Sequence, residues 1–491
     1  MYPAFCAYAK RLLCGEHPTP PAGVCPASVE VADGGVFFLF YGRTSRRLGV
    51  FGRPAGAFDG EFPAPDFQSC PLTPANARTL QGYFPHLKPV SRKGRRVSFG
   101  FGDRLGLAIP AFLELCREKN VFPVIAQQSM RELTLTGRTY DMVLADAVFA
   151  AFETGYKDGF GTDGDHLKHL HEIEYALKCG YSMITLDCSD YMPQSTPAGA
   201  ALEAAYLQYP AELRQRLEET YLNRTIALNG GQSLSFAKKD LMECTVLYYD
   251  CVSFVQTVYE TLIRPYQGDL EVSIDESAAV TTLQNHYFFA NELRRHKVEF
   301  GSLAPRFCGE FQKGVDYRGD IAAFRQEYAG HYAIAQTLGY KLSVHSGSDK
   351  FSIFPSVREL SGAGYHLKVS GTNWLEALKV VAQENPSLFR RIYTCALDCL
   401  DSAKAFYHIS ADSRSAPDIS SVPDDRLAET VFQCDDGRQA VHITYGYILN
   451  ARQGGVPVYR DALFQTLHAG RETYRQNILQ HLGRHFAALG I

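Results

Sequence analysis

No pair of cysteines in this sequence is spaced as CxxC, and no segment carries a Walker loop, an HExxH helix, a kinase signature or a hydrolase nucleophile elbow. Those absences remove the common zinc-ribbon, nucleotide-hydrolysing, zinc-protease, kinase and serine-hydrolase chemistries. Charge of one sign is lacking as well. The 49 lysines and arginines stand against 53 aspartates and glutamates, so the net charge is −4 and no cationic field is available to hold a nucleic-acid backbone. Long apolar runs are missing too, and none approaches the roughly 20 residues that a bilayer span requires. The opening segment, Met1 to Pro21, shows neither a basic-then-apolar signal pattern nor a small-residue cleavage site, so a cytoplasmic protein is expected. The thirteen cysteines are odd in number and scattered from Cys6 to Cys434, which reads as free thiols in a reducing compartment.

What is present is the composition of a globular enzyme, 46% hydrophobic and 21% charged. A chain of 491 residues corresponds to about three domains, or to one large barrel with attachments. Residues 1–95 read as a β-rich cap, with strand-like runs Val36–Tyr41 and Leu48–Phe51 between proline and glycine turn signals. Lys88 to Arg96, with Arg92, Lys93, Arg95 and Arg96, reads as an exposed basic link.

From residue 96 the pattern changes to short β runs separated by helical stretches. The candidate strands are Val97–Phe101, Val124–Ala126, the approach to Gly159–Gly164, Met183–Asp187, Leu270–Ile274, Gly301–Leu303, Leu342–His345 and Tyr365–Val369. Helical stretches lie between them at Pro110–Lys119, His166–Lys178, Tyr287–Arg295 and Ile321–Leu338. Eight strands alternating with helices predict an α/β fold, a (β/α)8 TIM-type barrel over 96–385. A helical insert, 191–268, follows the fourth strand, and residues 386–491 form an extension ending in a helical tail, Tyr459–Leu489.

In such a barrel the active site is built at the C-terminal ends of the strands. Here those ends carry Asp103 and Arg104; Gln127, Gln128, Ser129, Arg131 and Glu132; Asp163, Asp165, His166 and Lys168; Asp187 and Asp190; Glu271, Asp275 and Glu276; Arg306 and Glu310; and His345, Ser346, Ser348, Asp349 and Lys350. One charge at a strand end is often a structural ion pair; charges at end after end predict a functional mouth. The densest piece runs from Gly159 to Lys168, where glycines free the backbone to aim Asp163, Asp165, His166 and Lys168. Asp163 reads equally as a cap of the helix that follows. His345 closes an apolar strand and reads as a metal ligand. His366, with Lys368 on the same face by the period of two, is a further candidate. Glu310 and Glu271 complete a mixed nitrogen and oxygen set suited to Zn, Mn, Ni, Co or Fe(II).

The ordered segments Phe99–Leu107, Gln128–Glu132, Gly164–Lys168, Leu270–Glu276, His286–Leu293, Leu303–Phe307 with Gly309–Phe311, and His345–Ser352 resemble the tagaturonate epimerases of bacterial hexuronate catabolism. The resemblance implies interconversion of D-tagaturonate and D-fructuronate with a divalent metal. It implies Asp165 as proton acceptor, Glu271 as proton donor and His166 and His345 as metal ligands, with the third place open to His366 or Glu310. Arg131, Arg306, Lys168, Lys350 and Lys368 are the candidates for the substrate carboxylate, arginine being suited to a bidentate grip, with Ser129 and Ser348 as further substrate contacts. These two hexuronates differ at carbon 3 while the ketone is at carbon 5, so enolisation cannot invert the centre and a retro-aldol route is expected. The competing readings are an epimerase or isomerase of neutral ketohexoses, to which the cations would be surplus, and a non-catalytic sugar-acid binding protein. The partner expected is a small molecule, not nucleic acid or a membrane, and assembly into a homo-oligomer is left open.

Overall fold

The computed structural model describes every residue except 43–44, 93–96, 278 and 363. Eight parallel strands form a nearly closed barrel: β1 (Ser98–Gly102), β2 (Phe122–Val124), β3 (Asp163–Leu167), β4 (Met183–Asp187), β5 (Asp269–Ser273), β6 (Ser302–Ala304), β7 (Lys341–Val344) and β8 (Tyr365–Ser370). Their order in the sheet is β2-β1-β8-β7-β6-β5-β4-β3. At the seam, Ile125 N–H donates to the Gly161 carbonyl and Gly161 N–H to the Pro123 carbonyl, both at 2.9 Å. Helices surround the sheet, as the alternating pattern predicts, and the helix Ile321–Leu338 has the boundaries read from the sequence.

The strands are buried on both faces, which is why a segment such as Met183-Ile-Thr-Leu-Asp is apolar apart from Thr185 and Asp187. The exceptions point inward. Register pairs Glu271 with Thr185 on one side and Ser302 on the other, so three polar residues sit abreast on adjacent strands. A period of two then places Asp187 beyond Thr185, Ser273 beyond Glu271, and Lys368 beyond His366.

The third strand departs from the sequence reading. A helix is expected from His166, but the strand runs to Leu167 and the helix spans Leu170–Cys179. Glu172 fixes that start, its Oε2 accepting from the Lys168 and His169 N–H groups at 3.2 Å. The pairing of β3 with β4 shifts register between Gly164 and Leu167. His166 takes φ 53° there, a left-handed conformation that costs a non-glycine residue roughly 1–2 kcal/mol. Such a bulge lets two consecutive residues face the same side.

By packing, Ser91–Gly100, Asp163–Val369 and Ala487–Ile491 make one compact unit, and Met1–Val90, Phe101–Thr162 and Ser370–Phe486 another. The first contains the insert, where helices Ala200–Leu207, Ala211–Tyr221 and Lys238–Val258 follow β4. Glu292, fully buried on the helix Leu283–Arg295, anchors it by accepting from Tyr221 and from Arg216, each at 2.7 Å.

The second unit contains the cap, a five-stranded antiparallel sheet. Its strand Gly35–Tyr41 is apolar throughout because both faces are covered. Phe38 and Phe40 pack on Phe5 at 5.4 and 5.1 Å between ring centres, and Phe37 packs on Phe84 at 5.1 Å from the other side. The expected single tail helix is two, Arg460–Ala469 and Arg471–Ala488, separated at Gly470. The expected exposed basic link is corrected at Arg92, which is buried; Lys93, Arg95 and Arg96 lie outside the described residues. All thirteen cysteines are unbridged, and no described helix is long and apolar enough to cross a membrane.

Candidate active site

The inward polar residues of β3, β4, β5, β6 and β8 meet around one nitrogen. Lys368 Nζ lies 2.7 Å from Asp165 Oδ1, 2.7 Å from Asp163 Oδ2 and 2.9 Å from Glu271 Oε1, and it also donates to Thr185 Oγ1. Thr185 in turn donates to Asp163 at 3.0 Å and to Glu271 at 3.2 Å. Glu271 Oε2 accepts from Ser302, with Arg92 Nη2 at 3.6 Å behind it. All of these groups are buried. One ammonium and three carboxylates in a dry interior are stable only because each is paired.

The shared cation separates the carboxyls. Burial opposes ionisation of Asp165, but Lys368, His166 and His345 outweigh it and hold the group down at about 2. The same ammonium and His345 hold Glu271 well below the usual carboxylate range against its burial. At Asp163 burial prevails over Lys368, and the pKa is raised. The three carboxylates push the lysine itself upward against its own burial.

A second cluster adjoins the first. His345 Nε2 is 2.8 Å from Glu271 Oε1 and its Nδ1 is 3.1 Å from Asp275 Oδ2. The His166 ring stands edge-on to that of His345 with centres 4.9 Å apart. Its Nδ1 is buried 3.6 Å from Asp187 Oδ2, with no partner within hydrogen-bonding distance among the described residues. Ligand atoms of His166, Asp275 and His345 all lie within 4.8 Å of one another, so this group could hold a metal ion. Burial lowers the pKa of His166, but Asp165 and Asp187 reverse the effect and raise it to about 10. Asp275 follows the end of β5 and was legible as a strand-end carboxylate, though not as a partner of the two histidines. Thr185 and Ser302 went unnoticed, because a lone hydroxyl in an apolar strand is common; the available signal was their place on the inward face.

The other expected residues have partners of their own. His366 is buried one step earlier on β8, its Nδ1 2.9 Å from Ser98 Oγ and its Nε2 without a partner among the described residues. Burial and Arg92 keep its pKa well below that of an ordinary histidine. Glu310 is exposed and takes a hydrogen bond from Gln312. Lys350 is buried and donates to the carbonyls of Gln312, Val315 and Ser348 at 3.0, 2.7 and 3.0 Å. Arg306 is exposed and donates to the Ser277 carbonyl. Lys168 is half-buried, bonding Ser189 at 2.7 Å and Asp190 at 2.8 Å, with Asp187 3.8 Å away. Ser129 and Arg131 belong to the other unit. Ser129 caps the helix Met130–Thr136, and Arg131 lies over the Tyr407 ring and donates to the Phe406 carbonyl at 3.0 Å.

This arrangement can move a proton between two carboxylates through one lysine and can stabilise negative charge beside two imidazoles. Comparison with known proteins identifies the family. A family model described as tagaturonate epimerase matches residues 27–489. The tagaturonate/fructuronate epimerase of Thermotoga maritima is 39% identical over 422 residues, 85% of this chain and 86% of that one. The native crystal structure of the fructuronate-tagaturonate epimerase from Cohnella laeviribosi superposes with a TM-score of 0.93 at 37% identity, covering 100% of both chains. Its complex with one glycerol gives the same TM-score over 98% of each. The chain belongs to the tagaturonate epimerase family and is a carbohydrate epimerase.

Proposed function

We propose that this chain interconverts D-tagaturonate and D-fructuronate by inverting carbon 3, that it needs a divalent metal, and that the route is retro-aldol cleavage followed by aldol closure. The observation that carries this reading is the position of Lys368 Nζ, 2.7 Å from Asp165 and 2.9 Å from Glu271, beside the group His166, Asp275 and His345.

The carbon 3 hydrogen is not adjacent to the ketone, so removing it gives no stabilised anion. The carbon 3 hydroxyl is β to the ketone, and its deprotonation opens the bond between carbons 3 and 4. Asp165, ionised across the neutral range, accepts that hydroxyl proton. Carbon 3 becomes an aldehyde and the electron pair of the broken bond passes to carbons 4 and 5 as an enediolate. The aldehyde turns, the bond re-forms on its other face, and the new oxygen takes a proton from the side of Glu271. Glu271 rests ionised, so the proton it delivers comes from Lys368. The ammonium gives one proton to Glu271 as it takes one from Asp165, and its charge is kept.

The residues fit a metal. Two imidazoles and a carboxylate converge, one of the ring nitrogens is buried with no partner within hydrogen-bonding distance among the described residues, and such mixed sets take Zn, Mn, Ni, Co or Fe(II). When bound, the metal supplies Lewis-acid stabilisation of charge on the oxygens of carbons 4 and 5. Lys168, at the partly exposed edge of the cluster, is suited to the substrate carboxylate.

The test is an NMR time course of D-tagaturonate in deuterated water with metal-reconstituted protein and a chelated control. The expected result is fructuronate without deuterium at carbon 3, stopped by the chelator. Deuterium at carbon 3 would overturn the cleavage route while leaving an epimerase. Absence of conversion would overturn the whole reading.

A further inference from the structure

Within the unit made by Met1–Val90, Phe101–Thr162 and Ser370–Phe486 lies a cavity of about 830 Å³. That is within the size range of sites that enclose small organic molecules. The lining includes the apolar side chains Val24, Leu72, Leu107, Phe464 and Leu467. The rest of the lining carries five arginines, Arg46, Arg47, Arg117, Arg471 and Arg475, and three glutamates.

The glutamates are already taken. Glu153 accepts from Tyr41 at 2.8 Å and pairs with Arg46, both of them well shielded from solvent. Arg475 binds Glu114 at 2.5 Å and Glu472 at 3.0 Å. Arg46 and Arg475 hold all three carboxylates, the other three guanidinium groups make no ion pair among the described residues, and five arginines against three glutamates leave the lining with an excess of two positive charges. Arg47 donates to Ser69 Oγ at 2.6 Å and to the Ser69 carbonyl at 2.9 Å. Arg117 donates to the Thr154 carbonyl at 2.8 Å and lies over the Tyr156 ring. Arg471 lies over the Tyr41 ring, 4.6 Å from its centre, with His468 also beside that ring. Neutral acceptors and ring faces orient a guanidinium without cancelling its charge. Three oriented arginines that make no ion pair, in a net-positive concave space that also carries apolar side chains, match an anion with several acceptor oxygens and a carbon body.

We infer that this cavity is a second ligand site, separate in its residues from the Lys368 cluster, and that it takes a small organic anion bearing phosphate or carboxylate groups. No lining residue belongs to the unit that holds Lys368, Asp165 and His345. The inference therefore does not depend on the reaction proposed above.

The test is calorimetric titration of the metal-loaded protein with pyrophosphate and, separately, with citrate, at constant ionic strength. Arg471→Ala and Arg471→Glu are the variants, because this exposed side chain can change without disturbing the fold. The expected result is saturable binding of at least one probe with Kd at or below about 1 mM, weakened at least fivefold by Arg471→Ala and further by Arg471→Glu. Epimerase kcat/KM stays unchanged in both variants. The two probes separate a phosphate site from a carboxylate site. Equal binding by Arg471→Glu would place the probe on the catalytic metal and overturn the inference. So would failure of both probes to bind the unaltered protein.

Discussion

The ammonium of Lys368 lies 2.7 Å from Asp165 Oδ1, although the two residues are 203 positions apart in the chain. The contact joins β8 to the bulge of β3 and holds an ionised carboxylate in a buried place. Replacing Lys368 with alanine leaves Asp163, Asp165 and Glu271 without their common cation. Removing one partner from a buried ionic group costs about 3–5 kcal/mol. Loss of proton transfer costs roughly 10²–10⁴ in rate. The expected outcome for Lys368→Ala is therefore a lowered Tm and a kcat down by about that factor. Small primary amines added to the folded variant should restore part of the rate, whereas a purely structural lysine would show no such rescue.

The ligand group His166, Asp275 and His345 makes a prediction about stoichiometry. Metal analysis after dialysis should find about one divalent ion per chain in the unaltered protein, and its removal by a chelator should stop turnover. His166→Ala, Asp275→Ala and His345→Ala should each lose the ion. His366→Ala and Glu310→Ala should keep it, since His366 is bonded to Ser98 and Glu310 is exposed. An ion retained by Asp275→Ala and lost by His366→Ala would restore the ligand set suggested by the resemblance.

Most of the strands were legible as short apolar runs bounded by turn signals, whereas the polar β3, Asp-Gly-Asp-His-Leu, was placed too early; the polar residues at the strand ends marked the mouth. Two features were not. Asp165 was read as preceding a helix and His166 as opening it, because the bulge that turns both toward the cluster depends on pairing between β3 and β4 and leaves no periodic trace. Asp275 was one carboxylate among many; only the fold brings it 3.1 Å from His345. Lys350 was legible only as a candidate for the substrate carboxylate; its bonds to three main-chain carbonyls come from the fold.

Metal affinity should depend steeply on pH. Ligation needs a neutral imidazole, and Asp165 and Asp187 raise the pKa of His166 to about 10 in the metal-free protein. Below that value, binding must displace a proton, so each unit of falling pH weakens apparent affinity about tenfold through His166 alone. His345, also raised, adds to the slope once the pH lies below its own pKa. Competitive titration against a chromophoric chelator between pH 7 and 9 should show affinity rising at least 100-fold. A flat profile would mean that His166 is already neutral or does not bind the ion.

Lys168 and Lys350 should respond oppositely to the same change. Lys168 sits at the edge of the cluster, with its side chain 35% exposed and its partners on one short turn, Ser189 and Asp190. Lys168→Met should remove a charged contact to the substrate carboxylate, worth about 1.5–3 kcal/mol. That corresponds to KM raised roughly 10- to 100-fold with kcat little changed and Tm unaltered. Lys350 is 1% exposed, and its bonds to the Gln312 and Val315 carbonyls tie the segment after β7 to that loop. Lys350→Met should strand those carbonyls in the interior, at about 1–3 kcal/mol for each group left unsatisfied. The measurement is steady-state kinetics beside thermal unfolding for both variants. A KM effect at Lys350 larger than at Lys168 would move the carboxylate subsite to the loop after β7.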